Sequence, residues 1–330
     1  MTFLYFLIGL VLVFDFINGF HDSANSIATI VSTKVLSPIS AVFLAAIFNF
    51  LAFLLFPLKV ATTMSMGVVN HEIVTLNLIA AAVTSAIIWN LLTWWWGIPS
   101  SSSHTLVGGL VGSAIAKSGF GSVIYSGVIK IVIFIVVSPV LGMILSYFIS
   151  VFVLNLVKRQ SPSSVDKHFR RFQLLSASAF SLGHGGNDAQ KSMGIIFVSL
   201  IAAGKIPQDS NIENFLWIVL SCHAAMGLGT LFGGWRIVKT MGQRITKLKP
   251  FEGFCAETAG AITLFTATHF GIPVSTTHTI TGAIIGVGAT KRASAVKWGV
   301  TRKIFWAWIL TIPVSALIGA GIYHLIMAIT

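Results

Sequence analysis

The stretch IPSSSSHTLVGGLVG (residues 98–112) sets four serines, a histidine and a threonine into an otherwise apolar run, directly after Trp94, Trp95 and Trp96. Pro99 removes a backbone donor and stops the preceding helix, and the hydroxyl residues that follow are favoured N-caps. A new helix through TLVGGLVGSAIA would therefore begin here. Its first N–H groups, the positive end of its dipole and several hydroxyls converge on one point, which suits an oxyanion.

The setting is a membrane. Of 330 residues, 55% are hydrophobic and only 9% charged, and the mean hydropathy is +0.89. Eleven apolar stretches, from 3–20 to 304–329, are long enough to be spans or half-spans. Alternating polarity is absent, so the spans are helices and not barrel strands. The apolar start has no Lys or Arg before it, unlike a cleaved signal, and is expected to be a permanent helix. Cys222 and Cys255 lie in apolar segments and are expected to be small core residues.

The net charge of +12 is concentrated in 158–171, 236–249 and 291–303, which hold 15 of the 21 Lys and Arg. The positive-inside bias puts all three in the cytoplasm. No aromatic-studded basic domain accompanies them, which speaks against nucleic acid.

The opening stretch recurs as IPVSTTHTITGAIIG at 272–286, 174 residues on, with seven of fifteen positions identical. NGFHDSANS (18–26) aligns with HGGNDAQKS (184–192) through Gly19/Gly185, Asp22/Asp188 and Ser26/Ser192, and Pro139-Val140 aligns with Pro313-Val314. Three landmarks in one order indicate two homologous repeats, 1–157 and 172–330, joined by a basic linker, 158–171. The positions of the basic loops give each half an odd number of crossings, so the halves are expected to be inverted, with both termini outside. Lys117 falls on the outer side in this arrangement, against the bias. The expected fold is an all-α polytopic membrane protein: two inverted repeats with broken helices and re-entrant helical hairpins.

The residues then sort by chemistry. Ser101, Ser102 and Ser103 from one copy, with Ser275, Thr276 and Thr277 from the other, are the candidate anion-binding hydroxyls. Asp22 and Asp188 are costly in apolar surroundings and need a partner or a cation. Their flanking glycines suggest helix breaks with bare carbonyls. Carboxylate, amide and hydroxyl oxygens there would suit sodium or a proton, with Asp22, Asn25 and Asp188 as the candidate sodium ligands. Lys191 stands where the first half has Asn25, and Asn187 where it has His21. The ammonium could neutralise Asp188, contact the anion or fill a cation site, which inclines the reading towards protons. Glu257 faces Val83 across the repeat and is a coupling-ion candidate. His21, Asn187, Gln190, His104 and His278 are supporting residues; each of the last two is expected to hold its hairpin by a hydrogen bond. Asn49 and His223 are expected to link helices, and Asp15 has no evident role.

FDFINGFHDSANSIAT (14–29), GHGGNDAQKSMG, IPSSSSHT and IPVSTTHT together resemble the duplicated signatures of the PiT family of inorganic phosphate transporters, over essentially the whole chain. The resemblance implies a secondary symporter in the cell membrane that carries phosphate with sodium or protons, commonly as a homodimer, with the six hydroxyls on phosphate. NDAQK departs from the NDVAN form of sodium-coupled members and is similar to bacterial members that use protons and accept metal–phosphate complexes. A passive anion channel and a symporter of another tetrahedral oxyanion such as sulfate are the alternatives. An intramembrane enzyme fits poorly, since a nucleophilic triad needs no second copy. No cofactor is expected beyond the coupling ion.

Overall fold

A computed structural model describes residues 2–329 of the chain. Its regular structure is helical, with one isolated bridge between Val69 and Val123. The helices are α1 (Thr2–Ser32), α2 (Pro38–Leu51), α3 (Lys59–Met66), α4 (Leu76–Trp96), α5 (Ser102–Ser118), α6 (Tyr125–Val157), α7 (Pro162–Ala202), α8 (Leu216–Phe232), α9 (Trp235–Gln243), α10 (Pro250–His269), α11 (Thr276–Lys291) and α12 (Trp298–Ile329). Four of these, α1, α4, α6 and α12, are long and apolar enough to cross a membrane; α8 and α9 make a fifth such crossing if their 73° bend is one broken span. The basic stretch 162–171 is not a loop but the first turns of α7, capped by Ser161.

The serine stretch folds as its chemistry dictates. Gly97 ends α4 in the left-handed conformation (φ 66°), Gly271 ends α10 likewise (φ 70°), and a proline follows two residues later in each. Ser101 Oγ then accepts the backbone N–H of His104 at 3.4 Å, and Ser275 Oγ that of His278 at 3.2 Å, starting α5 and α11. Each hairpin is clipped at its open end by a lysine. Lys117 donates to the Ile73 carbonyl at 2.6 Å, and Lys291 to the Lys247 carbonyl at 3.0 Å.

The second helix of each hairpin packs on the last helix of the other half: α5 on α12 and α11 on α6. Matched glycines permit this. A Cβ at Gly108 or Gly112 would strike the backbone of Ile312 or Ala316, and one at Gly282 or Gly286 the backbone of Pro139 or Met143. Identity at these repeat positions therefore records backbone approach, a common device where helices meet in lipid.

In the centre, α1 and α7 run antiparallel. Thr33 donates to Gln173 Oε1 at 2.9 Å, and further along Ser26 Oγ lies 3.3 Å from His184 Nδ1. Neither helix breaks at its acidic motif, contrary to the expectation from the flanking glycines. Gly19 instead admits the backbone of Met226 on α8, and Gly185 that of Asn49 on α2. The breaks lie elsewhere, at the two hairpin tips, at Gly233-Gly234 and between α2 and α3. Two apolar clusters, one around Leu7, Leu78 and Ile196, the other around Ile27, Phe180 and Ile284, flank a buried polar layer carried by α1 and α7. α7 is too polar to resemble a lipid-facing span, and from Ser176 onward most of its polar side chains are buried against protein.

Candidate functional site

Four pieces meet in that polar layer: the middles of α1 and α7 and the tips of the two hairpins. Asp22 Oδ2 accepts Ser102 Oγ at 2.8 Å, and the same hydroxyl lies 2.5 Å from Asn18 Oδ1. Asp188 Oδ2 accepts Thr276 Oγ1 at 3.0 Å. Asn25 Nδ2 donates to Thr276 Oγ1 at 3.2 Å and Thr277 Oγ1 at 2.9 Å, while Ser103 Oγ accepts from the Lys191 ammonium. Every one of these side chains is buried. Ser101 and Ser275 are the caps, so four of the six predicted hydroxyls face the carboxylates, the amide and the ammonium. Of the first-turn backbone N–H groups, those of His104 and His278 are taken by the capping serines, and the ones before them have no intrahelical acceptor.

Lys191 Nζ sits 2.5 Å from Asp188 Oδ1 and also donates to the Val274 carbonyl at 2.9 Å. It thus holds together oxygens of three kinds, carboxylate, hydroxyl and carbonyl, the set a hard cation takes. In the first half His21 Nδ1 lies 2.6 Å from Asp22 Oδ1, and its Nε2 3.1 Å from Thr93 Oγ1. Asp22, His184 and Asp188 offer ligand atoms all within 4.8 Å of one another. The centre gathers two carboxylates against the single ammonium of Lys191, an excess of negative charge before the histidines are counted. An oxyanion reaching the hydroxyls meets that charge unless a proton or metal cation offsets it.

The remaining predicted residues have other tasks. Asn187 Nδ2 donates to Thr268 Oγ1 and to the Ile272 carbonyl, holding the second hairpin's tip. Gln190 caps α3: its Oε1 accepts from the backbone of Val60 and Ala61, and its Nε2 donates to the Pro57 carbonyl. Glu257 lies off the anion centre, towards the basic loops, and accepts from Thr29 (2.6 Å), Ser176 (2.5 Å) and Gln173 (3.0 Å). Among the described residues neither His104 nor His278 makes a side-chain hydrogen bond within its own hairpin. Their rings meet 4.8 Å apart between the two tips, and His278 stacks on Trp308 at 3.8 Å. Asn49 and His223 link helices as expected, with His223 Nδ1 3.0 Å from the Asn49 carbonyl and Asn49 donating to Thr230. Cys222 and Cys255 are buried free thiols.

Sequence reasoning missed Asn18, His184, Ser100 and Thr93. Asn18 and His184 occupy equivalent places in the aligned acidic motifs, and that pairing of polar residues was the available signal. Ser100 donates to Thr93 beside His21, an arrangement that only the folded tip brings together.

Residues 18–319 match the family model described as "Phosphate transporter family". A Rhizobium meliloti (strain 1021) protein named "Probable low-affinity inorganic phosphate transporter" is 58% identical, covering 96% of this chain and 94% of that protein. A protein of the same name from Bacillus subtilis (strain 168) is 43% identical with the same coverage. Among solved structures, "The sodium-dependent phosphate transporter" superposes with a TM-score of 0.89 at 26% identity, covering 100% of both chains. The relatives are named transporters and permeases, not enzymes.

Proposed function

The chain belongs to the phosphate transporter family, and from that premise we propose that it imports inorganic phosphate by cation-coupled symport with alternating access. The observation that carries the reading is the direct bonding of hydroxyls from both hairpin tips to Asp22 and Asp188. Phosphate would take over those hydroxyl donors from the carboxylates, together with the free N–H groups of α5 and α11. The carboxylates then need a cation. Two unit charges within 4.8 Å repel by about 3–4 kcal/mol at an effective dielectric constant near 20. A cation bound there favours the anion-bound arrangement of the hairpins, which is the differential affinity that coupling requires.

Lys191 supports a proton as that cation. Its ammonium already occupies the carboxylate, hydroxyl and carbonyl oxygens that sodium would take in the second half. The solved neighbour is described as sodium-dependent, so sodium is the competing reading. Protonated phosphate donates a hydrogen bond to a carboxylate where sulfate presents only acceptors, a basis for discrimination.

The antiparallel α1 and α7, the equivalent lysine clips and the exchange of α5 and α11 between α12 and α6 support two inverted repeats. In that frame the hairpins open to opposite faces, the basic loops are cytoplasmic and both termini lie outside the cell. Lys117 then sits outside for a structural reason, because it ties the first hairpin.

The test is counterflow of labelled phosphate in proteoliposomes. Asp22→Asn combined with Asp188→Asn is expected to abolish it; unaffected counterflow refutes the coupling scheme. Uptake in choline at several external pH values separates the ions. Persistence without sodium and collapse with the pH gradient supports protons, and a strict sodium requirement overturns that choice.

A further inference from the structure

We propose that Asp15 is a second cation site of the transporter, taking a proton, distinct from the Asp22–Asp188 centre and in line with it. Asp15 is fully buried on α1 with no ion-pair partner among the described residues; neither carboxylate oxygen makes a hydrogen bond of ordinary geometry, and the Ser192 hydroxyl, the Asn18 amide and the Cys222 thiol are the polar groups that approach it. Ser192 Oγ on α7 faces the carboxylate and has no other partner. A charged carboxylate with no cationic partner in such surroundings is expensive, and the inexpensive states are a neutral acid or a bound cation.

The surroundings select the proton. Asp15 is flanked by Ser192, Asn18 and Cys222. α1, α7 and α8 are all unbroken there, so their carbonyls are spent in helix bonds. Asn18 Oδ1 already accepts from Ser102. One carboxylate, one hydroxyl and a thiol fall short of the oxygen shell a metal cation needs, whereas a proton needs only the carboxylate. Of the elements packed on this part of α1, α8 brings Cys222, its His223 being bonded to the Asn49 carbonyl, and α7 brings Asp188, itself paired with Lys191; α4 has no ionisable residue.

Position gives the site its use. Asp15, Asn18 and Asp22 lie at i, i+3 and i+7 on one face of α1, about 10 Å from first to last at 1.5 Å per residue. Ser102 bonds both Asn18 and Asp22, so the row from Asp15 ends on a hydroxyl of the anion site. The first half of α1 clusters with Val68 and Val69, away from the basic loops. Asp15 thus lies on the face opposite Glu257. The proton loads at Asp15 from outside and biases the anion site through Asn18 and Ser102.

This inference rests on the proton-coupled reading above, and the experiment separates the two. Proteoliposomes containing pyranine are given an inward proton gradient in sodium-free buffer, and phosphate accumulation and luminal acidification are followed. Asp15→Asn, the isostere of the protonated acid, is expected to lower gradient-driven accumulation about tenfold, within the usual range of coupling factors. Phosphate–phosphate exchange, which moves no net proton, persists and reports a folded protein. Asp15→Glu restores accumulation, and an infrared difference spectrum of wild type against Asp15→Asn shows loss of a neutral-acid carbonyl band. Wild-type accumulation in Asp15→Asn overturns the inference and leaves symport intact, as does absence of the band difference. A wild type that accumulates nothing without sodium overturns proton coupling itself and this site with it.

Discussion

Replacing Lys191 by asparagine restores in the second half what the first half has at Asn25, and the consequences can be worked out from the contacts. The ammonium is buried and bonded to Asp188, Ser103 and the Val274 carbonyl. Removing one member of a buried ion pair costs about 3–5 kcal/mol, because the partner charge is left uncompensated. For a chain of this size that is a fall in unfolding midpoint of roughly 4–7 °C. The same change leaves a space lined by carboxylate, hydroxyl, carbonyl and amide oxygens. Sodium at a hundred times its dissociation constant would return about 2.7 kcal/mol, recovering more than half of the loss. Purified Lys191→Asn should therefore melt early in choline and recover selectively in sodium, and its phosphate uptake should become sodium-stimulated. Lys191→Met, which offers no hard ligand, should show the fall without the recovery. A Lys191→Asn protein that melts like the wild type, or whose stability and uptake ignore sodium, would refute the view that the ammonium stands in a cation site.

Three further outcomes follow from the same contacts. Ser102→Ala removes a donor shared by Asp22 and Asn18; a charge-assisted bond of about 1.5–3 kcal/mol should appear as a roughly 10- to 100-fold rise in the phosphate KM for uptake, and an unchanged KM would remove Ser102 from the anion site. Gly282→Ala sets a Cβ into the Pro139 backbone, and overpacking of about 1–3 kcal/mol or more should reduce detergent-stable protein, read by size-exclusion chromatography; the exposed Gly321→Ala, which meets nothing, is the control. Lys117→Met and Lys291→Met each unclip one hairpin base, with an expected loss of about 1 kcal/mol for a partly exposed bond and faster hydrogen exchange confined to the open end of that hairpin. Exchange that rises equally in both hairpins would show that the clips are not local.

Much of this arrangement was legible because duplication makes weak signals mutually supporting. Pro99 with Ser101 and Pro273 with Ser275 mark helix restarts by local chemistry alone, and the restarts occur where that chemistry puts them. The glycines were misleading. Beside Asp22 and Asp188 they resembled helix breakers, yet Gly19 and Gly185 admit neighbouring backbones within unbroken helices. A sequence shows that a side chain is missing but not which neighbour needs the space. The same blindness to tertiary partners misread His104 and His278, whose rings meet only because the two tips converge; His184, 3.3 Å from Asp188 across one turn of α7, was within reach of the i, i+4 spacing and was overlooked.

The departures from symmetry carry the functional information that the repeats do not. The framework, comprising hairpins, clips, capping serines and close-packed glycines, is matched in the two halves. The charges are not. Asn25 is answered by Lys191, Val83 by Glu257, and Asp15 by Ser181 in the register that aligns Asp22 with Asp188. All six positions are buried, so none of these differences is surface variation. An alternating-access cycle built on equivalent halves needs equivalent packing to reach both faces at similar free energy. Coupling needs an ion bound with different affinity in the anion-bound and anion-free arrangements, which calls for ionisable groups placed where that ion sits. Asp15 towards one face and Glu257, with Thr29, Gln173 and Ser176 around it, towards the other place ionisable carboxyls on both sides of the anion centre. On the alternating-access reading proposed above, the matched framework would serve the change of face, and the unmatched carboxyls and Lys191 mark where the coupling ion would be held while its gradient sets the direction of flow.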